Sequence, residues 1–272
     1  MRMEMKATKL NFVIPVRHHL SVKDWGFVKD NMQRTFHSIK GQTSNNWHCY
    51  VVANVGADLP DMPENFTRVD VDFPLNALPV KSDDPDVYHE LVRLDKGLRV
   101  YEAVKQCSGE DFFMVVDYDD FVSNSLAEYV SRYSDSAGWF ISSGYLYSGG
   151  SLALKHRRFD DICGTSNIVK VSFIEKYYDI NGALPIEQIK RLLGSHRFIK
   201  VDMKKMNLSY EAFPFSGAVY NVGIQGSTSQ TPSILKNAFS LKLFISNPVA
   251  AMKILLRLRL FTPSMKKNFT II

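Results

Sequence analysis

The stretch from Asp111 to Asp120 constrains this chain more than any other part of it. Phe112-Phe-Met-Val-Val116 is an unbroken apolar run that stops at three carboxylates, Asp117, Asp119 and Asp120. Such a run, aromatic and β-branched, reads as a buried strand. Alternation along a strand puts Asp117 and Asp119 on one side of it. Carboxylates crowded this closely repel unless protons or a cation intervene. Hard divalent ions such as Mg²⁺ and Mn²⁺ take oxygen ligands of this kind, often beside substrate phosphates. Taken alone, the three acids suit an acidic turn after a strand as well as they suit an ion site.

The flanking sequence gives the run its setting. Residues 10–16 form a first apolar strand, and Trp25, Val28, Met32, Phe36 and Ile39 follow at helical spacing behind the capping-box pattern Ser21-Val-Lys-Asp24. Strands are expected over 47–53 and 67–73, and a Pro- and Asp-rich loop over 74–90. Leu94, Leu98, Tyr101 and Val104 mark a helix, Ser125 to Tyr133 another, and a strand runs through 139–143. Strand and helix alternate, which predicts an α/β fold with a doubly wound, mainly parallel central sheet. In such sheets ligands sit beyond the carboxyl ends of the strands, where the three acids fall. Residues 144–168 read as a long loop and 185–193 as a short helix stopped by Gly194.

The cysteines, Cys49, Cys107 and Cys163, are odd in number and form no C-x-x-C. That spacing excludes a disulfide frame or a zinc cluster and points to a reducing compartment. No apolar run is long enough for a membrane span, and the N-terminal sequence lacks a signal-peptide pattern. A cytoplasmic location is expected. The last acidic residue is Glu211, and seven Lys or Arg follow it, so a net charge of +5 divides into about −2 for the body and +7 for the tail. Apolar-basic segments over 233–245 and 248–260, separated by Asn247-Pro248, read as an interfacial helix pair, so peripheral contact with the cytoplasmic leaflet through residues 233–267 is expected. Packing of these helices on the core is the alternative. No nucleic-acid motif accompanies the charge.

With these residues in place, the chain resembles glycosyltransferases of the GT-A fold (Rossmann-like), closest in style to the family-two-like bacterial sugar transferases. The resemblance covers about residues 10–145. It lies in the order of Ile14-Pro-Val16, Val51-Val-Ala-Asn54, Asp95-Lys-Gly97 and Val115-Val-Asp-Tyr-Asp-Asp120. It implies a GT-A domain over 1–230, with a nucleotide-sugar half at about 10–145 and an acceptor half at 146–230, and basic helices over 231–272 as an appendage.

Carried onto this sequence, the resemblance implies that Pro15, Val16 and Arg17 border the nucleotide. Asn54 stands where the family has an acidic residue. Lys96 and Gly97 lie near the donor, with Arg93 and Arg99 nearby and Asp117 and Tyr118 at the strand end. Asp119, Asp120 and a late histidine, His196, become the ligands of a divalent metal, Mn²⁺ or Mg²⁺. Glu187, at a helix head, becomes the catalytic base, although the helix macrodipole favours an acid there in any case. His196 is equally readable as a surface histidine, and the Gly226-Ser-Thr-Ser229 turn could close over a diphosphate.

The function implied is metal-dependent transfer of a sugar from a nucleotide donor, UDP above all. The acceptor would be a glycan or lipid-linked saccharide in bacterial surface polysaccharide synthesis. Two other readings stay open: a nucleotide-sugar-binding scaffold without turnover, and an Asp-nucleophile phosphatase. The phosphatase pattern is weakened because Phe121 stands where it wants Thr or Val.

Overall fold

The computed structural model describes residues 8–223 and 248–271. A seven-stranded mixed sheet forms the centre, in the order β10-β6-β9-β4-β1-β2-β3. Its first part is β1 (Leu10–Pro15), β2 (Trp47–Asn54), β3 (Phe66–Val71) and β4 (Phe112–Val115). These four run parallel. β6 (Gly138–Phe140) and β10 (Tyr210–Ala212) are parallel to each other, and β9 (Asn167–Lys170) lies antiparallel between β6 and β4.

Alternation along β1 explains why helices cover both faces. Leu10, Phe12 and Ile14 pack with Val28, Met32, Phe36 and Ile39 of α1 (Trp25–Lys40) and with α3 (Leu126–Arg132). Val13 faces the other way, into a second core built on Val100, Ala103 and Val104 of α2 (Pro85–Val104). The α/β, doubly wound arrangement is thus written in the pattern of a single strand.

Helix boundaries follow local chemistry. Asp24 caps α1 by accepting from Phe27 N at 3.0 Å, so the helix opens at Trp25, with Ser21 in a separate short turn. α2 opens at Pro85, inside the stretch expected to be loop. Asp84 caps it and proline occupies the first turn, where its missing N–H costs nothing.

The expected loop over 144–168 also holds structure. β7 (Gly144–Tyr147) and β8 (Leu152–His156) form a hairpin turned through Gly149 and Gly150, which have φ of +90° and +79°. They belong to a second sheet ordered β12-β8-β7-β11-β5, with β5 (Phe121–Val122), β11 (Ala218–Asn221) and β12 (Leu258–Leu260).

The C-terminal stretch is not helical throughout. α7 (Pro248–Arg257) leads into β12, which pairs with β8, and α8 (Pro263–Asn268) precedes Phe269. Phe261 and Phe269 pack with Phe121, Tyr147 and Val219. The segment 233–245 and the Gly226–Ser229 turn lie outside the described residues.

Candidate functional site

The strand order fixes where a ligand can sit. From β1 the chain builds outward to β2 and β3, then returns to place β4 on the other side of β1. The loops leaving β1 and β4 therefore diverge, and a crevice opens at their carboxyl ends. A cleft of about 440 Å³ lies there. Pro15 and Arg17 reach it from β1, and Asp117, Tyr118 and Asp119 from the end of β4. Arg93 and Lys96 reach it from α2, and His196 from the turn after a short helix.

That short helix is α5 (Ile186–Gln188), extended by a π-helical turn, Ile189–Leu193. It approaches α2 so closely that glycine is required on each side. A Cβ on Gly97 would stand 2.6 Å from the Ile189 carbonyl oxygen, and one on Gly194 would strike the Arg93 carbonyl. The two glycines set the distance between α2 and the His196 turn. Gly97, expected near the donor, has this packing role.

The turn after β4 is tied from three sides. The Thr35 hydroxyl of α1 lies 2.8 Å from the Tyr118 carbonyl oxygen and 2.9 Å from that of Asp120. Thr165 Oγ1 accepts from Asp117 N at 3.0 Å and donates to Asp120 Oδ2 at 2.6 Å. Asp120 Oδ1 accepts from Asn221 N at 3.1 Å, and Cys163 Sγ donates to Oδ2 at 3.2 Å.

Asp120 is thereby wholly buried, with both oxygens spoken for by the body of the protein. Burial, then Asp119 and Asp117, push its carboxyl well above the ordinary value. Asp120 does not line the cleft. The carboxylates that do are Asp117 and Asp119, in the turn beyond the end of β4 at Val115, together with Asp95. Asp95 is committed to Arg99, whose guanidinium donates to both of its oxygens at 3.0 and 2.9 Å.

Asp117 and Asp119 differ. Asp117 Oδ1 accepts from Lys96 Nζ at 2.5 Å. Burial pulls the Lys96 ammonium down, but the charge and hydrogen bond of Asp117 outweigh it, so the lysine stays charged. Asp119 has no such partner among the described residues. Burial, then the charge of Asp117, hold its carboxyl up at about 7, against an ordinary 3.8. The Tyr118 hydroxyl between them is pushed up to about 12, by burial and then by Asp119, with Arg17 working the other way.

Several expected positions lie elsewhere. Val16 is buried in the core and its N–H donates to Val52. Asn54 is buried at the end of β2, donating to the Phe73 carbonyl at 2.7 Å. Glu187 does not line the cleft: its side chain is 78% exposed and pairs with Lys190 at 2.7 Å, an i,i+3 contact typical of a helix surface. His196 lines the cleft but is not grouped with the acids as an ion site, since no three His, Cys, Asp or Glu side chains converge on one among the described residues. Its Nε2 faces the Asp161 carbonyl at 3.5 Å, and burial, then Lys96, keep its pKa below the ordinary value.

Sequence reasoning passed over three cleft residues. Lys81 was assigned to a loop, His89 lies on the unforeseen early part of α2, and Arg197 follows His196. Arg99, expected near the nucleotide, lines the cleft. Arg99 is fully buried, and its second terminal nitrogen has no hydrogen-bond partner. A donor buried without an acceptor at the cleft wall is costly unless a ligand supplies one.

The acidic pair fits an ion that arrives with a ligand. Divalent ions of this type use one or two carboxylates and complete their shell with phosphate oxygens and water. Asp119 supplies a carboxylate with no hydrogen-bonded cation among the described residues and Asp117 a second, with one oxygen left by Lys96.

A pH dependence follows. The folded protein holds the Asp119 proton more firmly than the unfolded chain does, so without metal its stability falls as pH rises from about 4 to about 7. Thermal midpoints measured in chelator should decline across that window, and Asp119→Asn should flatten the decline. An equal slope in the variant would refute the assignment.

Comparisons with known proteins place the chain in no family. No protein-family model and no curated protein matches its sequence. Among solved structures, the manganese complex of Rv0371C from Mycobacterium tuberculosis H37Rv is similar at 8% identity and a TM-score of 0.38, covering 79% of this chain and 92% of its own. The 2-C-methyl-D-erythritol 4-phosphate cytidylyltransferase of Francisella tularensis is similar at 10% identity, also with a TM-score of 0.38, covering 79% and 90%. Neither is a family-two-like sugar transferase, and the resemblance to that family drawn from motif order is withdrawn. Likenesses this remote carry no assignment of their own.

Proposed function

We propose that the cleft binds a nucleoside-diphosphate sugar and passes its sugar to a saccharide acceptor. The observation that carries this reading is that Asp117, ion-paired to Lys96, and Asp119 share the crevice at the divergence of β1 and β4 with Arg17. Departure of a nucleoside diphosphate builds negative charge on its phosphates, and cationic groups fixed beforehand lower the barrier to that departure. A divalent ion on Asp117 and Asp119 would neutralise phosphate charge in the same place.

Lys96 is held charged and oriented by Asp117, so it needs no rearrangement to face the diphosphate. Arg99 offers its unpartnered N–H to a donor oxygen. Of the titratable cleft groups, Asp117 and Asp95 are committed to cations, whereas the imidazoles His18, His89 and His196 all have lowered pKa values, and we assign His196, beside Lys96, to take the acceptor hydroxyl's proton. UDP-sugars are the first donors to test. The acceptor reading is a glycan or lipid-linked saccharide of a bacterial surface polysaccharide.

Nucleoside diphosphate release from a donor panel with Mn²⁺ tests the proposal. Pyrophosphate release from a nucleoside triphosphate would assign nucleotidyl transfer instead. Phosphate release from monoesters would assign a phosphatase, and donor binding without turnover a non-catalytic scaffold.

Contact with an anionic lipid surface is a second element of the proposal. Val249, Met252 and Leu256 lie on one face of α7 and are 63%, 58% and 67% exposed, with Lys253 and Arg257 on the same side. Ile254 packs inward, near Val222. No helix among the described residues is long and apolar enough to cross a membrane. Co-sedimentation should occur with vesicles containing phosphatidylserine, weaken in salt, and drop several-fold in Met252→Glu/Leu256→Glu. Equal binding to neutral vesicles would count against it.

A further inference from the structure

The cleft has a second charged region that the donor reading leaves unused. Along α2, His89, Arg93 and Lys96 are spaced i, i+4, i+7 and so share one face. Lys96, ion-paired to Asp117, belongs to the donor end. Seven residues of helix put His89 about 10 Å along the axis from it, beyond the reach of a single diphosphate.

At that far end Lys81 and Arg197 join from different loops, and all four side chains line the same cavity. Arg93 pairs with Glu90 at 2.5 Å, and Glu90 is shared with Lys190 at 3.2 Å. Lys81 and Arg197 form no ion pair among the described residues. The Lys81 ammonium stands 5.6 Å from the Tyr88 ring centroid. The His89 imidazole is held below its ordinary pKa by burial and by Lys81, Arg93 and Arg197, which shows how closely the cations gather around it. Like charges on one concave wall repel, and the field they focus into the cleft favours an anion.

We propose that Lys81, His89, Arg93 and Arg197 form a second anion subsite, separate from the Asp117–Asp119 end, which takes a phosphate or diphosphate group carried by the second substrate. The inference rests on the donor reading in calling that substrate the acceptor. It restricts the acceptor chemistry to phosphorylated or diphosphate-linked saccharides, because a neutral glycan would leave two unpaired cations facing it. Arg197 adjoins His196, so an acceptor anchored there by its phosphate would bring its hydroxyl toward the neutral imidazole.

The test is calorimetric titration of inorganic phosphate, and separately of pyrophosphate, into protein saturated with UDP and Mg²⁺. One further equivalent should bind. Lys81→Ala/Arg197→Ala should weaken that event at least ten-fold and change UDP affinity less than two-fold, with circular dichroism confirming the fold. Lys81→Arg should retain binding.

Phosphate that binds only by displacing UDP would overturn the proposal. So would a double variant that loses UDP as strongly as phosphate, because the wall would then belong to the donor. If UDP does not bind at all, the donor reading fails separately, and titration into free protein still decides. Phosphate binding lost in the double variant supports the subsite, and unchanged or undetectable binding refutes it.

Discussion

Replacing Asp119 with alanine is expected to lower turnover about 10³-fold, on the scale of removing one preorganised electrostatic group from an active site, while leaving the protein folded. Asp119 is the cleft carboxylate with no hydrogen-bonded cation among the described residues, and burial, then Asp117, hold its carboxyl up at about 7 against the weaker pull of Lys96 and Arg17. A group kept in that condition destabilises the empty protein and becomes favourable only when a positive charge reaches it. Alanine removes the repulsion, so the thermal midpoint above pH 7 in chelator should be no lower than that of the parent. Mn²⁺ should raise the parent midpoint in the presence of UDP and leave that of the variant unmoved. Activity within a few-fold of the parent would remove Asp119 from the mechanism.

The neighbouring acid should behave in the opposite way. Asp120→Ala is expected to cost several kcal/mol of stability, at about 1–3 kcal/mol for each buried donor left without its acceptor. Thr165 Oγ1, Cys163 Sγ and the Asn221 N–H would all lose their acceptor in a site closed to water. Those donors come from the loop before β9 and from β11, so the carboxylate holds together segments of both sheets. Urea denaturation would show a large fall in midpoint, or the variant would accumulate only in inclusion bodies. Asp120→Asn keeps one acceptor oxygen and should lie between. An Asp120→Ala protein of parental stability but no activity would reverse the roles given to the two residues.

This contrast marks how far the sequence could be read. Alternation along the strand predicts Asp117 and Asp119 on one side; β4 stops at Val115, and both reach the cleft, with Tyr118, from the turn that follows. The resemblance moved the ion to Asp119 and Asp120, because motif order cannot distinguish a carboxylate facing solvent from one facing Thr165. The core of the fold was legible in Leu10–Pro15, whose alternate residues serve two helical layers, and in the helical spacing from Trp25 to Ile39.

The β7–β8 hairpin was missed although Ser148-Gly-Gly-Ser151 between two apolar triplets is a turn signal. Glycine and serine content suggested a loop, where strand propensity on either side needed more weight. The start of α2 was visible in Asp84-Pro85 but was hidden by the surrounding Asp and Pro. Lys81 and Arg197 carry no local signal at all. They line one cavity across the close approach of α2 and the π-helical turn that Gly97 and Gly194 permit.

Crystals grown with UDP and Mn²⁺, measured at a wavelength where manganese scatters anomalously, test the central claim most directly. The expected peak lies within coordination distance, on the order of 2 Å, of one carboxylate oxygen each from Asp117 and Asp119 and touches the diphosphate, with Asp120 still bonded to Thr165 and Asn221. A manganese peak on Asp120, or UDP bound outside the cleft with no ion on the acidic pair, would contradict the account.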